Sequence, residues 1–236
     1  MSKTIICNDE EYITETIVVP EDYMEYFDFV DFGAKYGAMG KYAFDSFGAN
    51  NGLHFELNPD CIKVMEENEI PCIQADVSNL VLPEKCVDFV IATHTIEHLP
   101  SIEHIKKMLQ TAKSASKDFI YITWPSFDSE EYLRSNGFLK FYSTDDFSGH
   151  TCHITSKELK QILNELGLEY EFRAWYRLDS SNHESIVWLD ESTDRVDINF
   201  EMPIYHENVC LIKIQDSFMY RRALSFLNQF GWDKIL

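Results

Sequence analysis

Short apolar runs alternate with amphipathic segments along the first half of the chain. The apolar, β-prone runs predict five strands, at 27–32, 52–56, 71–76, 87–93 and 119–123. Between them, apolar residues recur every three or four positions and predict helices, at 35–47, at 60–68 and from about 101 onwards. Strands that alternate with helices in this way predict an α/β fold of the doubly wound class, with a mostly parallel sheet and helices on both faces.

The second half of the chain carries fewer regular signals. Residues 125–153 are polar and aromatic, which predicts a lid-like segment whose aromatic side chains either pack on a substrate or close the core. A helix, two strands and a final helix are predicted in turn, at 155–166, 170–176, 209–214 and 218–230. The acidic stretch 178–208 lacks either pattern and predicts an irregular insertion over the sheet edge. Because no internal repeat interrupts the sequence, we expect one domain over residues 1–236.

Composition and charge exclude several classes of partner. Of the 236 residues, 45% are hydrophobic, so the chain can bury a sizeable core. Its 20 Lys and Arg residues face 40 Asp and Glu residues, and the formal net charge of −20 argues against nucleic acids and anionic membranes. The sequence shows no bilayer-spanning apolar stretch, no secretory signal pattern and no CxxC pair among its six cysteines. We therefore expect a cytoplasmic protein with reduced thiols, and the sequence indicates no oligomeric state.

Candidate binding residues follow the predicted strands. Doubly wound sheets bind ligands beyond the carboxyl ends of their strands. Gly33 and Gly37 follow the first strand and precede a helix, where a backbone without side chains can approach a ligand closely. Glu56 ends the second strand, at the position where a carboxylate pairs with the ribose hydroxyls of a nucleotide-like cofactor. Asp76 ends the third strand, where a carboxylate can accept a hydrogen bond from the exocyclic amine of adenine.

A stretch from about 29 to 175 resembles the class I S-adenosylmethionine-dependent methyltransferases, which have a Rossmann-like fold. The most specific part runs from Asp88 through Glu97-His98-Leu99 to Pro100 and is similar to the fourth-strand motif of small-molecule methyltransferases. The pair Gly149-His150, with Thr155 and the helix that follows, resembles a later segment of the same family. The resemblance implies methyl transfer from S-adenosylmethionine to an oxygen or nitrogen atom of a small molecule.

The resemblance also implies a set of cofactor-binding residues. They are Asp31, Gly33, Ala34, Gly37, Glu56, Leu57, Asp76, Val77 and Thr93. Lys35 replaces the middle glycine of the family's loop, and a lysine there needs an unstrained backbone and an ammonium turned away from the sulfonium. A non-catalytic methyltransferase-like binding protein and another nucleotide-binding enzyme on the same fold are the alternatives.

Three histidines are candidate catalytic residues. Methyl transfer needs an aligned nucleophile, and an oxygen or nitrogen nucleophile benefits from a base. His94 and His98 follow the fourth strand, and His150, with His153 near it, lies in the lid-like segment. We predict that His98 or His94 acts as the base, and that the lid-like segment brings His150 or His153 to the same place. The alternative is a structural turn in which His98 is only hydrogen-bonded.

His94, Glu97 and His98 also form a His-x-x-Glu-His pattern, which occurs in zinc proteases. A protease is excluded because that motif requires a long helix, whereas this segment straddles a strand end and stops at Pro100. Ubiquinone-pathway O-methyltransferases and small-RNA end-methyltransferases, which carry a similar Glu-x-x-Glu-His, bind a divalent cation there. This resemblance implies a metal site at His94, Glu97 and His98, joined by His150 or His153, as a second hypothesis. We favour histidines that act without a metal.

Overall fold

A computed structural model describes residues 3–7 and 10–14 as backbone, and 15–144, 149–190 and 196–235 in full. The strands are β1 Lys3–Cys7, β2 Glu10–Thr14, β3 Ile17–Val18, β4 Phe29–Phe32, β5 Gly52–Glu56, β6 Cys72–Gln74, β7 Leu80–Val81, β8 Val87–Thr93, β9 Ser116–Pro125, β10 Phe138–Lys140, β11 Glu169–Ser180, β12 Ile186–Trp188, β13 Asn199–Lys213 and β14 Asp233–Lys234. The helices are α1 Glu21–Met24, α2 Ala38–Phe47, α3 Pro59–Glu67, α4 Ile102–Ala115, α5 Glu130–Ser135, α6 Ser156–Glu165 and α7 Phe218–Gln229. No helix in these described ranges combines the length and apolar character that crossing a bilayer requires.

Eight strands form the central sheet, in the order β14-β11-β13-β9-β8-β4-β5-β6. The strands from β9 to β6 in this order are parallel. At the other edge, β13 pairs antiparallel with both β9 and β11. The predicted α/β, Rossmann-like fold with a mostly parallel sheet is confirmed, with antiparallel strands added along one edge. From β4 the chain adds β5 and β6 on one side and later β8 and β9 on the other, so the strand order reverses between β4 and β8. Ligand crevices form at this point in such sheets.

Alternate side chains of the parallel strands face opposite helical layers. Phe29 packs in the core that α2 and α7 cover, whereas its neighbour Val30 packs in the core that α4 and α6 cover. The rings of Phe29, Phe89 and Phe119 stack across three neighbouring strands, with centroid distances of 5.2 and 4.6 Å. Helices on both faces bury these strands, which explains why their sequences are apolar without alternation.

The predicted elements match the structure best in the first half. The predicted strands at 52–56 and 87–93 coincide with β5 and β8. The third strand is shorter than predicted, because β6 ends at Gln74 and Asp76 instead begins the short 3-10 turn Val77–Asn79. A short turn of the same type, Ile96–His98, follows β8.

The stretch 178–208 is not the irregular insertion that the sequence predicts. β11 continues to Ser180, and β13 begins at Asn199 and enters the sheet, while residues 191–195 lie outside the described residues. The first half of β13 is mostly exposed, so pairing with β11 rather than burial holds it as a strand. For this reason the sequence of the first half of β13 shows no apolar pattern. Whether such an exposed segment forms a strand depends on the strand it pairs with.

The predicted lid-like segment contains regular structure. α5 and β10 lie within it, and β10 pairs with β12 in a separate two-stranded sheet. A local core holds α5 against this small sheet, with Leu133 and Phe138 packed against Ile186. Residues 145–148 of the segment lie outside the described residues. Of its aromatic residues, Phe127, Phe138 and Tyr142 are buried, whereas Phe141 stays exposed.

Candidate active site

The loops after β4, β5, β6 and β8 open into one cavity of about 760 Å³. Residues from the turn Phe141–Ser143 and from β13 form the facing wall. The predicted residues that line this cavity are Gly33, Glu56, Leu57, Asp76, Val77, His94, His98 and His150. The fold therefore brings the candidate cofactor residues and the candidate catalytic histidines into one space.

The turn after β4 leaves no room for a side chain at Gly33. Its φ of 71° lies in the left-handed region that favours glycine, and a Cβ there would stand 2.6 Å from both Oγ1 and Cγ2 of Thr95. Thr95 is fixed in turn, because its hydroxyl donates to the carbonyl of Phe32 over 2.7 Å. The Gly33 backbone therefore forms part of the cavity wall directly.

Lys35 takes the conformation that the replaced glycine would favour. Its φ is 52°, contrary to the unstrained backbone that the sequence suggested for a lysine at this position. The Lys35 amide donates to Oε2 of Glu56 over 2.7 Å, which ties the loop to β5. The ammonium lies 5.8 Å from the centre of the Tyr36 ring, on an exposed side chain.

Backbone amides hold the Glu56 carboxylate in place at the end of β5. Oε1 accepts hydrogen bonds from the amides of Leu57 and Asn58, at 2.8 and 2.9 Å, while Oε2 accepts from Lys35. A carboxylate with this many donors is fixed in orientation but keeps lone pairs for further donors. Glu56 thus fits the hydroxyl pair of a ribose.

Asp76 is buried on the cavity wall two residues after β6. Its Oδ1 accepts from the amide of Ser78 at 2.9 Å and from the Ser78 hydroxyl at 2.7 Å. Oδ2 takes part in neither bond. The arrangement orients the carboxylate and leaves an acceptor for a ligand amine, which fits adenine.

Four predicted cofactor residues stand behind the cavity wall. Asp31 is fully buried in β4, where its Oδ2 lies 3.1 Å from Nδ1 of His54 and burial raises the pKa of the carboxyl. Ala34 packs against α3, and Gly37, with a φ of 74°, precedes the first residue of α2. Thr93 is the buried last residue of β8. These residues support the loops rather than face the cavity.

The rings of His98 and His150, which also line the cavity, approach each other with centroids 4.9 Å apart. Nδ1 of His98 lies 2.5 Å from the carbonyl oxygen of Gly149, and Nδ1 of His150 lies 3.0 Å from that of Tyr142. A carbonyl oxygen only accepts hydrogen bonds, so Nδ1 carries a proton in both rings, and in the neutral form of either ring Nε2 carries the lone pair. Burial lowers the pKa of His150 and favours its neutral form.

Glu97 lies on the cavity wall between the two rings and His94. Its side chain is fully buried, and neither carboxylate oxygen accepts a hydrogen bond from the described residues. The nearest ring nitrogens are Nδ1 of His94 at 3.3 Å and Nε2 of His98 at 4.0 Å, both measured to Oε1.

His94 bridges two carboxylates. Its Nε2 lies 3.5 Å from Oε1 of Glu207, while its Nδ1 faces Glu97. Burial lowers the pKa of His94, but the contacts with Glu207 and Glu97 outweigh this and raise it to about 10. His94 is therefore an imidazolium at neutral pH. Its backbone φ of 50° lies in the left-handed region.

His153 lies apart from this group. Its Nδ1 is 2.9 Å from Oε2 of Glu130, and its ring stacks on Phe127 with centroids 4.4 Å apart. It does not belong to the residues that line the cavity. Of the two lid histidines, the structure brings His150 to the site.

Residues 25–171 match the model of a family described as a methyltransferase domain. The chain belongs to this family. It is an S-adenosylmethionine-dependent methyltransferase, an enzyme whose cofactor is S-adenosylmethionine, as the resemblance implied. A comparison with curated proteins found no match.

Solved structures share the fold of this methyltransferase at low sequence identity. A SAM-dependent methyltransferase from Archaeoglobus fulgidus is 20% identical, over 81% of this chain and 90% of that chain, with a TM-score of 0.56. The YcgJ protein from Bacillus subtilis is 14% identical, over 82% and 93%, with a TM-score of 0.57. The magnesium protoporphyrin IX methyltransferase from Synechocystis, solved with bound SAH, is 10% identical over 82% and 76%, with a TM-score of 0.50. At these identities the likeness establishes the fold alone.

Several cavity residues of the methyltransferase were missed by sequence reasoning. His206, which lines the cavity, and its neighbour Glu207, which contacts His94, come from β13, which the sequence placed partly in an irregular insertion. Thr95, which fills the space beside Gly33, lies within the recognised motif but carried no signal of its own. Only the pairing of β13 with β9 could have indicated Glu207, because that pairing places it opposite Pro125 at the end of β9.

Proposed function

We propose that this methyltransferase transfers the methyl group of S-adenosylmethionine to an oxygen or nitrogen atom of a small molecule. The observation that carries the proposal is the shared cavity, which Glu56, Asp76, His98 and His150 all line. Displacement at a methyl group requires donor and acceptor to be aligned within one enclosed space. A single cavity lined by both groups of residues supports that geometry, and we assign Glu56 and Asp76 to its cofactor end and His98 and His150 to its acceptor end.

The cofactor end would hold S-adenosylmethionine through polar contacts with its adenosyl group. Glu56 would accept hydrogen bonds from the ribose hydroxyls and Asp76 from the adenine amine. The Gly33 backbone would approach the methionine part, since no side chain intervenes there. The bound cofactor supplies the electrophilic methyl group.

The residues at the acceptor end would remove the proton that the acceptor loses. The acceptor's lone pair forms a bond to the methyl carbon while the carbon–sulfur bond breaks, and the bonding electrons remain on sulfur as S-adenosylhomocysteine forms. Nε2 of His98 and of His150, whose Nδ1 atoms contact backbone carbonyl oxygens, would act on the acceptor proton. His94 would act as a fixed cation that positions Glu97, since both of its ring nitrogens already face carboxylates.

A small acceptor suits the size of the cavity. The volume of about 760 Å³ lies within the range of sites for small molecules and cofactors. One of the similar structures is named for the small molecule magnesium protoporphyrin IX. The net charge of −20 also disfavours nucleic acids as acceptors.

Calorimetry with S-adenosylhomocysteine tests the cofactor end. We expect micromolar binding that neither NAD nor ATP displaces. Glu56→Gln should weaken it about 10–100-fold, because the ribose loses a charged acceptor. Glu67→Gln, an exposed substitution on α3, is the matched control and should leave it unchanged. Displacement by NAD or ATP, or equal binding by the two variants, would contradict the proposal.

Turnover separates an enzyme that acts on small molecules from a binding protein on the same fold. Purified protein is incubated with S-adenosylmethionine and a panel of small hydroxyl and amine acceptors, and S-adenosylhomocysteine is measured. We expect formation that depends on at least one acceptor and falls when His98 and His150 are both replaced by Asn. Formation of S-adenosylhomocysteine without any acceptor, or turnover that the double replacement leaves intact, would count against the proposed acceptor end.

A further inference from the structure

We propose that Tyr176 binds an aromatic ring of the acceptor at the mouth of the cavity, together with Phe141 and His206. We call these three residues the aromatic rim. Phe141 and His206 line the cavity, and Tyr176 contacts His206 from the neighbouring strand β11. The inference rests on the proposed methyl transfer, because it names the class of acceptor that the same cavity takes. In this role Tyr176 determines acceptor specificity.

The first argument is the place of Tyr176 in the sheet. Trp175 of β11 pairs with Glu207 of β13, so the next residue, Tyr176, lies opposite His206. Opposite residues of antiparallel strands carry their side chains on the same face of the sheet. Their ring centroids are 6.2 Å apart and the ring planes are nearly perpendicular, at 80°. Because Glu207 pairs with Pro125, the last residue of β9, this pair of rings lies beyond the carboxyl end of β9, where the cavity opens.

The second argument is the exposure of the rim. Phe141 and Tyr176 are 41% and 52% exposed, whereas most aromatic residues of the lid-like segment are buried. The ring of Phe141 lies 6.1 Å from that of His206. Single exposed aromatic residues are common on protein surfaces, but a cluster beside a cavity is typical of a binding site. The rim therefore offers apolar ring surface to a ligand that enters the cavity.

The third argument is the backbone of Tyr176. Its φ of 55° lies in the left-handed region that favours glycine, and a bulky side chain there is strained. Burial offsets little of this strain, because more than half of the side chain is exposed. Strained residues of this kind cluster at binding and active sites. Stability alone does not account for a tyrosine at this position.

The fourth argument is the orientation of the Tyr176 hydroxyl. Nδ1 of His183 accepts a hydrogen bond from the amide of Ser185 at 3.1 Å, so this nitrogen carries the lone pair of the ring. Nε2 of His183 then carries the proton and donates it to the Tyr176 hydroxyl oxygen, also at 3.1 Å. The hydroxyl keeps its own proton for donation. Tyr176 thus presents an anchored ring and a hydrogen-bond donor.

These features favour a flat aromatic acceptor. Aromatic rings attract one another in offset-stacked and edge-to-face arrangements, beyond the area that they bury, whereas a saturated ring lacks the π face. The Tyr142 ring connects the rim with the proposed acceptor end, at 5.4 Å from His206 and 6.2 Å from His150. A hydroxyl or amine on a short side chain of the bound ring would extend from the rim toward His150.

Matched pairs of acceptors test the proposal. Benzylamine is compared with cyclohexylmethylamine, and benzyl alcohol with cyclohexylmethanol, so that each pair carries one reacting group on a flat or a saturated ring. The kcat and KM are measured from S-adenosylhomocysteine formation. We expect kcat/KM to be about 10-fold higher for the aromatic member. Tyr176→Ala should raise the KM of that member about 3–10-fold with kcat retained, because the lost contact is remote from the reacting atoms.

Three further variants serve as controls. Tyr176→Phe should keep the preference for the aromatic member, because the ring remains. Tyr26→Ala, which removes another exposed tyrosine, should leave both kinetic constants unchanged. Tyr176→Gly should lose the preference as Tyr176→Ala does, yet unfold at a higher urea concentration than Tyr176→Ala, because glycine relieves the strain. If Tyr176→Ala fails to fold, Tyr176→Gly and the preference of the parent enzyme decide.

Equal kcat/KM for the two members of each pair would overturn the proposal, as would a preference that Tyr176→Ala leaves unchanged. Ligand-observed NMR on protein saturated with S-adenosylhomocysteine measures binding of the same compounds without turnover. If methyl transfer proceeds without any preference, only the aromatic rim is wrong. If benzylamine binds more tightly than its saturated partner, loses that advantage in Tyr176→Ala and is never methylated, the proposed function fails and the aromatic rim stands.

Discussion

Replacing Gly33 by alanine should destabilise the protein by about 2–5 kcal/mol. Alanine at a φ of 71° costs about 1–2 kcal/mol in backbone strain. The new methyl group would also stand 2.6 Å from Oγ1 and Cγ2 of Thr95, and overpacking of this kind costs about 1–3 kcal/mol. Thr95 cannot turn away freely, because its hydroxyl is bonded to the carbonyl of Phe32.

Gly137 provides the matched control for the Gly33 experiment. Its φ of 84° lies in the same left-handed region, but a Cβ there would meet no atom within 4 Å. Gly137→Ala should therefore cost only the backbone strain of about 1–2 kcal/mol. Urea unfolding of both variants gives the two free energies, and their difference isolates the contact with Thr95.

The Thr95→Ala background decides whether that contact is the cause. Without Oγ1 and Cγ2, the cost of Gly33→Ala should fall toward that of Gly137→Ala. S-adenosylhomocysteine binding should weaken in Gly33→Ala and remain unchanged in Gly137→Ala. If the two glycine variants lose equal stability, or if the Thr95→Ala background leaves the cost of Gly33→Ala unaltered, the steric reasoning is refuted.

Three further substitutions test other parts of the structure. Phe89→Ala should lower the free energy of unfolding by about 3–5 kcal/mol, measured in urea, because its ring stacks between two others in the core. Burial lowers the pKa of Lys140 to about 7, against 10.5 for a free lysine. The unfolded chain therefore binds more protons between these values, and stability rises with pH by up to about 1.4 kcal/mol per unit. Lys140→Met should remove that rise, measured from urea midpoints at about pH 7 and 9; an unchanged slope would contradict it. Thr155→Ala should cost about 1 kcal/mol, seen as a lower thermal midpoint, because its hydroxyl accepts from the Glu158 amide at the start of α6.

The parallel half of the fold could be predicted because its central strands β4, β5 and β8 are buried on both faces. β5 and β8 are apolar runs bounded by turn residues, so their limits are visible in the sequence. β13 could not be recognised in the same way. Its first half is exposed and is held by hydrogen bonds to β11, which leave no hydrophobic pattern.

Some residues of the candidate site could likewise be predicted from the sequence, and others could not. Gly33, Glu56 and Asp76 could be found because each follows a predictable strand, and parallel strands bring their carboxyl ends together. The approach of His150 to His98 depends on how the lid-like segment folds back over the sheet, and no local pattern encodes it. The contacts of Glu97 with His94 and His98 are likewise visible only once these neighbours are in place.

The antiparallel strand β13 brings His206 to a cavity that Gly33, Glu56 and Asp76 also line, and it places Glu207 beside His94. Amino-acid changes near the middle of this strand would reshape the pocket for the methyl acceptor without touching Gly33, Glu56 or Asp76. Libraries randomised around His206 are therefore a direct route to altered acceptor preference with cofactor affinity retained.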